Sequence, residues 1–397
     1  LKAGVSVSLT LRVAFLALSR ISRFEFLMPI APAAILYASQ KPLVVEDIHV
    51  ADPGAGEVLV RMKAAGVCHS DLHVMKGDLP MPCPIVLGHE GAGVVEAVGS
   101  GVTSVQPGDR VWPIWRSSCG RCEYCQCGRP ALCELGTAMR FTGLMPDGKT
   151  RFHTLDGTPV RHYAGVSTFS SLSCMPESAV VRIESDISFE HAALISCGVI
   201  TGLGAVTHAA QVRPGASVAV FGCGGVGLNI IQGARMVGAV RIIAVDTVAS
   251  KESSARTLGA TDFIDASKTD PVTAIKDLTG GLGVDFAFEA IGLPEPVEQA
   301  FDATRKGGVC VVAGICRADA RARINVHNLL YAEKTIKGTL YGSMRPRVDL
   351  PRIVELHRCG ALALEELLTR TWRLEEINEA YHSLERGEVA RSLIVWE

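Results

Sequence analysis

The chain has 397 residues, 48% of them hydrophobic and 20% charged, with 39 Lys and Arg against 41 Asp and Glu. Its length predicts two or three domains, and its ordinary globular composition excludes a disordered chain. A formal net charge of -2 gives no global field to hold nucleic acid or an acidic membrane, and thirteen cysteines, some tightly clustered, point to metal thiolates rather than a disulfide framework.

Residues 1–28 read as an N-terminal extension. They carry Lys2, Arg12, Arg20 and Arg23, with no acid before Glu25, and Arg12 interrupts the apolar stretch Val5 to Leu18. That stretch is too short for a membrane span. A transit peptide or a weak signal peptide fits the composition, but a dispensable extension ahead of Met28 is the preferred reading, because a strand pattern follows at Ala34 to Tyr37. No other long apolar run and no internal repeat is evident.

Residues 29–198 show short strand patterns, such as Glu57–Met62 and Gly93–Val98, punctuated by turns such as Asp52-Pro53-Gly54. This predicts a β-rich domain. From 199 to 341 the pattern becomes strand alternating with helix. Val218–Phe221, Arg241–Val245, Val284–Phe288 and Val309–Ala313 are the expected strands, and a helix is expected over Gly227–Val237. Such alternation predicts a doubly wound parallel sheet. The tail, 342–397, reads as mostly helical, with a closing strand at Ser392–Trp396 that returns to the first domain.

Gly222-Cys223-Gly224-Gly225-Val226-Gly227 fits G-x-G-x-x-G, and it follows a strand and opens a helix. Gly222 suits a tight turn, Gly224 and Gly225 with Val226 let a pyrophosphate meet free backbone N–H groups, and Gly227 lets the helix pack on the strand. Asp246 ends the next strand, where a carboxylate accepts from a ribose diol and repels a 2′-phosphate. NAD is therefore expected rather than NADP, with Lys251 assisting at the ribose.

Cys119, Cys122, Cys125 and Cys133 share one polar loop, 119–133. Four thiolates can close a tetrahedron round zinc and leave no open position, as a structural site requires. Disulfides are the alternative, and Cys127 is surplus to a tetrahedral set. Gly66-Val67-Cys68-His69-Ser70-Asp71-Leu72-His73, Gly88-His89-Glu90 and Ser196-Cys197-Gly198 hold further metal-type residues. Two cysteines and one histidine with a vacant fourth position suit a catalytic zinc. Spacing alone does not bring Cys197 to Cys68, and each residue taken singly reads as core filler or a satisfied histidine.

Taken together, the Gly88-His89-Glu90 run through Gly93, Gly99 and Val102, the four-cysteine loop and the glycine motif resemble the zinc-dependent medium-chain alcohol dehydrogenases. The likeness covers about residues 33–397. The stretch Asp147-Gly148-Lys149 to Ser170 is similar to the liver-type and glutathione-formaldehyde branch. The resemblance implies a GroES-like catalytic domain joined to a Rossmann coenzyme domain, two zinc ions per chain and NAD. It implies Cys68, His89 and Cys197 as catalytic zinc ligands, with Asp71 orienting His89 and Glu90 close to the metal. Ser70 and His73 would form the proton relay, the alternative being that Ser70 only caps a helix. His69, Thr201 and Arg391 would contact the coenzyme. Trp115 and Leu79 would line the substrate pocket.

Two departures bear on substrate. The formaldehyde branch has an acid where Leu79 stands and an arginine at the position of Thr137. The expected activity is reversible hydride transfer between a primary or secondary alcohol and NAD. A thiol-adduct formaldehyde dehydrogenase is the nearest rival. A crystallin-like zinc-binding protein and a zinc-ribbon nucleic-acid module are more distant ones. A cytoplasmic homodimer is expected, a homotetramer being the alternative, with a small alcohol or aldehyde as partner and neither nucleic acid nor membrane.

Overall fold

The computed structural model describes residues 28–396, so the expected leader lies outside the described residues. Six parallel strands form one sheet in the order Asp262–Asp265, Arg241–Asp246, Ser217–Phe221, Val284–Glu289, Thr304–Val312, Thr335–Gly338. This is the doubly wound order, with the first strand of the unit at the centre. The central strand reads Ser-Val-Ala-Val-Phe and is buried from Val218 to Phe221 because helices cover both faces. Two strands escaped the sequence reading, Asp262–Asp265 and Thr335–Gly338. Both are four-residue edge strands, Asp-Phe-Ile-Asp and Thr-Ile-Lys-Gly, so neither carries a continuous apolar run. The helix after the glycine turn begins at Gly225, two residues before the expected start.

The β-rich unit has two parts. Five strands close a small barrel, among them Ile30–Leu36, Val44–Val50 and Ile85–Val86. The long strand Glu57–Val67 lies in a seven-stranded sheet between Gly91–Val98 and Arg391–Val395. The tail strand thus joins the sheet of the β-rich unit. Ser392 pairs with Val67 and Leu393 with Gly66, which sets Arg391 beside the end of the strand at Cys68. A further tail strand, Leu368–Trp372, lies parallel to Arg391–Val395.

One helix, Phe189–Ala210, runs across the boundary placed at 198/199, so the two units share an element. It is a long apolar run that the sequence reading did not register. By length and composition it could cross a membrane, but 89% of its most apolar window is buried inside the protein. Its segments Ile195–Val199 and Ala205–Ala210 are wound as π-helix. A single hydrophobic cluster runs from Met62 and Trp112 through Leu194 and Leu203 to Val220 and Ile230. The packing of this helix thus joins the sheets of both units into one core.

His162 shows the physical cost of burial inside the barrel. Its ring stacks on Phe152 with centroids 4.1 Å apart, and its Nε2 accepts from the Arg151 backbone N–H at 3.0 Å. Burial pushes its pKa down to about 3, with the charges of Arg151 and His153 adding to the effect. The unfolded ring titrates near 6.5, so the unfolded chain binds the proton first. This contribution to stability is complete above pH 6.5 and is lost as pH falls from 6.5 towards 3. In urea unfolding, His162→Gln is expected to flatten the fall of stability in that window by up to about 1 kcal/mol per pH unit. An unchanged slope would show that the ring is protonated in the folded protein.

Candidate active site

The ladder between Glu57–Val67 and Gly91–Val98 pairs Ala65 with Gly91, which carries His89 and Glu90 alongside Gly66 and Cys68. Gly66 has no room for a side chain, since a Cβ there would meet Glu90 Oε2 at 2.0 Å. The shared helix brings in Cys197, and Ser196 Oγ accepts from the Gly91 N–H at 3.0 Å. Donor atoms of Cys68, His89, Glu90 and Cys197 end within 4.8 Å of one another, three of these residues being buried. His89 Nε2 lies 3.5 Å from Cys197 Sγ, and His89 Nδ1 lies 3.2 Å from Asp71 Oδ1. Asp71 also accepts from the Gly88 N–H at 3.0 Å.

This cluster has the chemistry of a cation site. Burial works against a charged His89 ring, yet the Asp71 carboxylate and the Cys68 thiolate carry its pKa up to about 10. The Cys68 thiol is held low by a hydrogen bond with Cys197, whose own thiol is pushed up in return. The His89 imidazolium balances the Cys68 thiolate here, and a metal cation can take the place of its proton. Two cysteine sulfurs and an imidazole within a few ångströms, with Asp71 fixing the ring from behind, fit zinc.

Cys68 is also the N-cap residue of the helix His69–Lys76. Ser70 lies within the first turn and is not the cap, and its Oγ stands 3.5 Å from Cys68 Sγ. His73 faces away on the same helix, with Nδ1 3.0 Å from Asp78 Oδ2. Arg317, from the loop after the strand Thr304–Val312, reaches Asp78 Oδ1 at 3.2 Å.

The second metal group is Cys119, Cys122, Cys125 and Cys133, with sulfurs within 4.8 Å of one another. The Cys119 N–H donates to Cys133 Sγ at 3.2 Å, and the Cys122 N–H donates to Cys119 Sγ at 3.3 Å. Backbone N–H groups of Cys125 and Glu134 hold the Cys122 thiol down to about 6. Such a lobe fits zinc with no open position. Cys127 is exposed and stands outside the set.

At the glycine turn, Gly222 has φ +98°, and a Cβ at Gly227 would stand 1.7 Å from the Gly222 carbonyl oxygen. Nothing lies within 4 Å of where a Gly224 Cβ would be, leaving open space at the helix N-terminus. Arg391 lies against this turn, its Cδ 2.5 Å and its Nη1 2.8 Å from a Cβ built at Gly225, and pairs with Glu90 on its other side. The Arg391 Nε is buried without a partner among the described residues, a donor set for an anion. Asp246 accepts from the Cys223 N–H at 2.8 Å and from Lys251 Nζ at 3.0 Å. The arrangement fits a dinucleotide.

Residues 54–185 match the family described as alcohol dehydrogenase GroES-like domain, and residues 225–357 match the family described as zinc-binding dehydrogenase. Curated relatives named S-(hydroxymethyl)glutathione dehydrogenase, from Escherichia coli O1:K1 and Shigella sonnei, are 42% identical over 367 residues, or 91% of this chain and 98% of theirs. The chain belongs to the zinc-dependent medium-chain alcohol dehydrogenases. A solved benzyl alcohol dehydrogenase from Acinetobacter calcoaceticus is 34% identical at TM-score 0.88, covering 93% of this chain and 100% of its own. An alcohol dehydrogenase zinc-binding domain protein from Burkholderia ambifaria is 36% identical at the same TM-score, covering 93% and 99%.

The dehydrogenase is an NAD-dependent oxidoreductase with a GroES-like and a Rossmann portion. Of the residues expected at its site, the fold brings Cys68, His89, Cys197, Glu90, Asp71, Ser70 and Arg391 together. His69 lies in the first turn beside Cys68, and its ring is pushed down chiefly by burial. Thr201 is buried one helical turn beyond Cys197. Trp115 lies 5.9 Å from the His89 ring, centroid to centroid. Leu79 is half-buried, with its N–H donating to the His73 carbonyl at 3.2 Å. The Thr137 hydroxyl accepts from Arg116 Nη2 at 2.8 Å.

Sequence reasoning missed Tyr163, whose ring lies 5.7 Å from His89, and Tyr341, whose ring lies tilted against Trp115 at 4.9 Å. It also missed Asp78. An acid five residues past His73, beyond the helix-ending Gly77, was the available signal.

The glycine turn gives a direct test. Gly227→Ala is expected to weaken NADH binding at least about tenfold, or about 1.4 kcal/mol, in a fluorescence titration. The clash with the Gly222 carbonyl must move the helix N-terminus away from the coenzyme. Wild-type affinity would show that the turn has slack.

Proposed function

We propose that this dehydrogenase oxidises a primary alcohol carrying a flat apolar group, of the benzylic kind, with NAD as acceptor. The observation that carries the reading is the pair of aromatic rings edge-on to His89, Trp115 at 5.9 Å and Tyr163 at 5.7 Å, which wall the metal cluster with apolar surface. Leu79 adds an apolar side chain where the formaldehyde branch has an acid. A benzyl alcohol dehydrogenase among the solved relatives supports the same choice.

In this reading Cys68, His89 and Cys197 hold the catalytic zinc, and the four cysteines of the 119–133 lobe hold the structural one. When bound, zinc supplies Lewis acidity to the alcohol oxygen and NAD supplies the hydride acceptor. Ser70, beside Cys68, takes the alcohol proton and passes it outwards towards His73. Asp78 holds the His73 Nδ1 side, which leaves Nε2 free to accept. Asp71 keeps the His89 ring turned so that Nε2 faces the cluster. Gly222, Gly224, Gly225, Val226 and Gly227 seat the pyrophosphate, with Arg391 and His69 beside it and Thr201 further along. Asp246, steadied by Lys251, takes the adenosine ribose. We place the enzyme in a reducing compartment, the cytoplasm, because its metal lobes need free thiolates. A homodimer is the proposed assembly.

A second reading is oxidation of the adduct of formaldehyde with an acidic thiol. Arg140 favours it. Its guanidinium lies 5.4 Å above the Tyr163 ring, and no carboxylate is within ion-pair distance of it among the described residues. NADH formation across a panel of alcohols, with zinc-loaded protein, separates the two. Benzyl-type alcohols are expected to exceed S-(hydroxymethyl)glutathione in kcat/KM by at least about tenfold, in line with a thiol tail whose carboxylates find no designed partner at Leu79. The reverse order would install the second reading.

The proton path has its own test. Ser70→Ala is expected to lower turnover by about a hundredfold with zinc content unchanged. Wild-type turnover in that variant would send the proton by another route.

A further inference from the structure

A third group of metal-type side chains lies outside the site just described. His191 stands in the first turn of the shared helix Phe189–Ala210, and His357 stands near the end of the helix Pro346–Arg358. Glu365 follows in the next loop. One ligand atom from each comes within 4.8 Å of the other two. The two imidazoles meet edge to face, with centroids 5.3 Å apart and planes at 76°.

The hydrogen bonding around His357 decides what the group can do. Its Nδ1 lies 3.1 Å from the Leu362 carbonyl oxygen, which only accepts, so Nδ1 carries the proton. In the neutral ring the lone pair is then on Nε2, and Nε2 faces Glu365 Oε1 at 3.7 Å. Two acceptors face each other with no donor between them. Among the described residues nothing hydrogen-bonds the ring of His191, so either tautomer is open to it and a ring nitrogen can turn its lone pair to the group. A divalent cation between the three would take a lone pair from each imidazole and from the carboxylate, whereas a proton on His357 satisfies only its own pair with Glu365. A carbonyl behind the ligating imidazole is the usual way in which a protein fixes a metal-binding histidine.

The backbone that carries these groups is held in place. Ser188 Oγ accepts from the His191 N–H at 3.1 Å. Leu362 and Leu364 are buried, and the Ala363 N–H donates to Gln232 Oε1 at 3.1 Å. Gln232 belongs to the helix that follows the glycine turn.

We propose that His191, His357 and Glu365 form a third, solvent-facing divalent-metal site, of the zinc type, that staples the shared helix to the tail helix and its following loop. Two imidazoles and one carboxylate are a known zinc donor set, and the exposed side leaves the fourth position to water. The site is separate from both thiolate clusters, and the proposal stands whatever the substrate proves to be.

The test uses the purified enzyme with its thiolate sites already loaded. Zinc titrated by calorimetry, with metal content measured after dialysis at micromolar zinc, is expected to show one further equivalent in the wild type. Zinc is also expected to raise the melting temperature. His357→Gln is expected to weaken that binding by at least about tenfold, and His191→Gln with His357→Gln together to abolish it, with alcohol oxidation in metal-free buffer unchanged. Cobalt in place of added zinc is expected to give no sulfur-to-metal charge-transfer band. Three results each overturn the proposal: no binding beyond the two thiolate sites, full binding in the double variant, or a thiolate band, which would assign the metal to Cys359 or Cys127.

Discussion

A buried ion pair, Arg391 with Glu90, ties the molecule together. Both side chains are almost wholly excluded from water. A charge so placed persists only with a partner, and removing one member typically costs about 3–5 kcal/mol. Here the pair has a second effect, because its two members come from opposite ends of the chain and touch both halves of the chemistry. Glu90 adjoins His89 in the metal cluster, and Arg391 lies against Gly225 at the glycine turn. Gly66 and Gly225 are bare on the sides that face the pair, since a Cβ at either would collide with it. The tail strand therefore does more than close a sheet. Its register against Glu57–Val67 decides where the guanidinium stands.

The shared helix performs a matching task from the other side. It carries Cys197 into the metal cluster, Ser196 onto the Gly91 backbone and Leu203 into the core beneath the glycine-turn helix. The Tyr341 hydroxyl donates to the Ser196 carbonyl, and its ring backs Trp115. Metal, coenzyme turn and aromatic wall are thus fixed by one rigid core. They are not hung on separate loops, and catalytic groups need this kind of support to keep their geometry.

What the sequence made legible was local. The glycine motif and the four-cysteine lobe are set by spacings of a few residues, and the parallel sheet announced itself through buried apolar runs. The long-range partners were not legible from spacing. Cys197 is far along the chain from Cys68, and Arg391 is further still. Only strand pairing and helix packing bring them in, so the family likeness had to supply them. Tyr163 and Asp78 had neither a motif nor a likeness behind them. Tyr163 sits in a loop whose composition says nothing of the pocket it faces. Asp78 lies beyond a glycine that reverses the chain. Arg317 reaches Asp78 from the coenzyme half, a contact that no one-dimensional pattern records.

The π-wound segment Ile195–Val199 has a bearing on how this enzyme can vary. Such a segment is an α-helix with an extra residue lodged in it. Cys197 lies in its middle. Losing one residue there would restore a regular helix and leave the core contacts on one side of the gap intact. Everything beyond the gap would rotate by about 100°. The thiol and the buried leucine of Leu203 could then not both keep their places. Along this stretch length is constrained as tightly as the identity of Cys197 and Ser196: a side chain that only fills the core can be exchanged for one of similar volume, but an insertion or deletion moves the ligand itself.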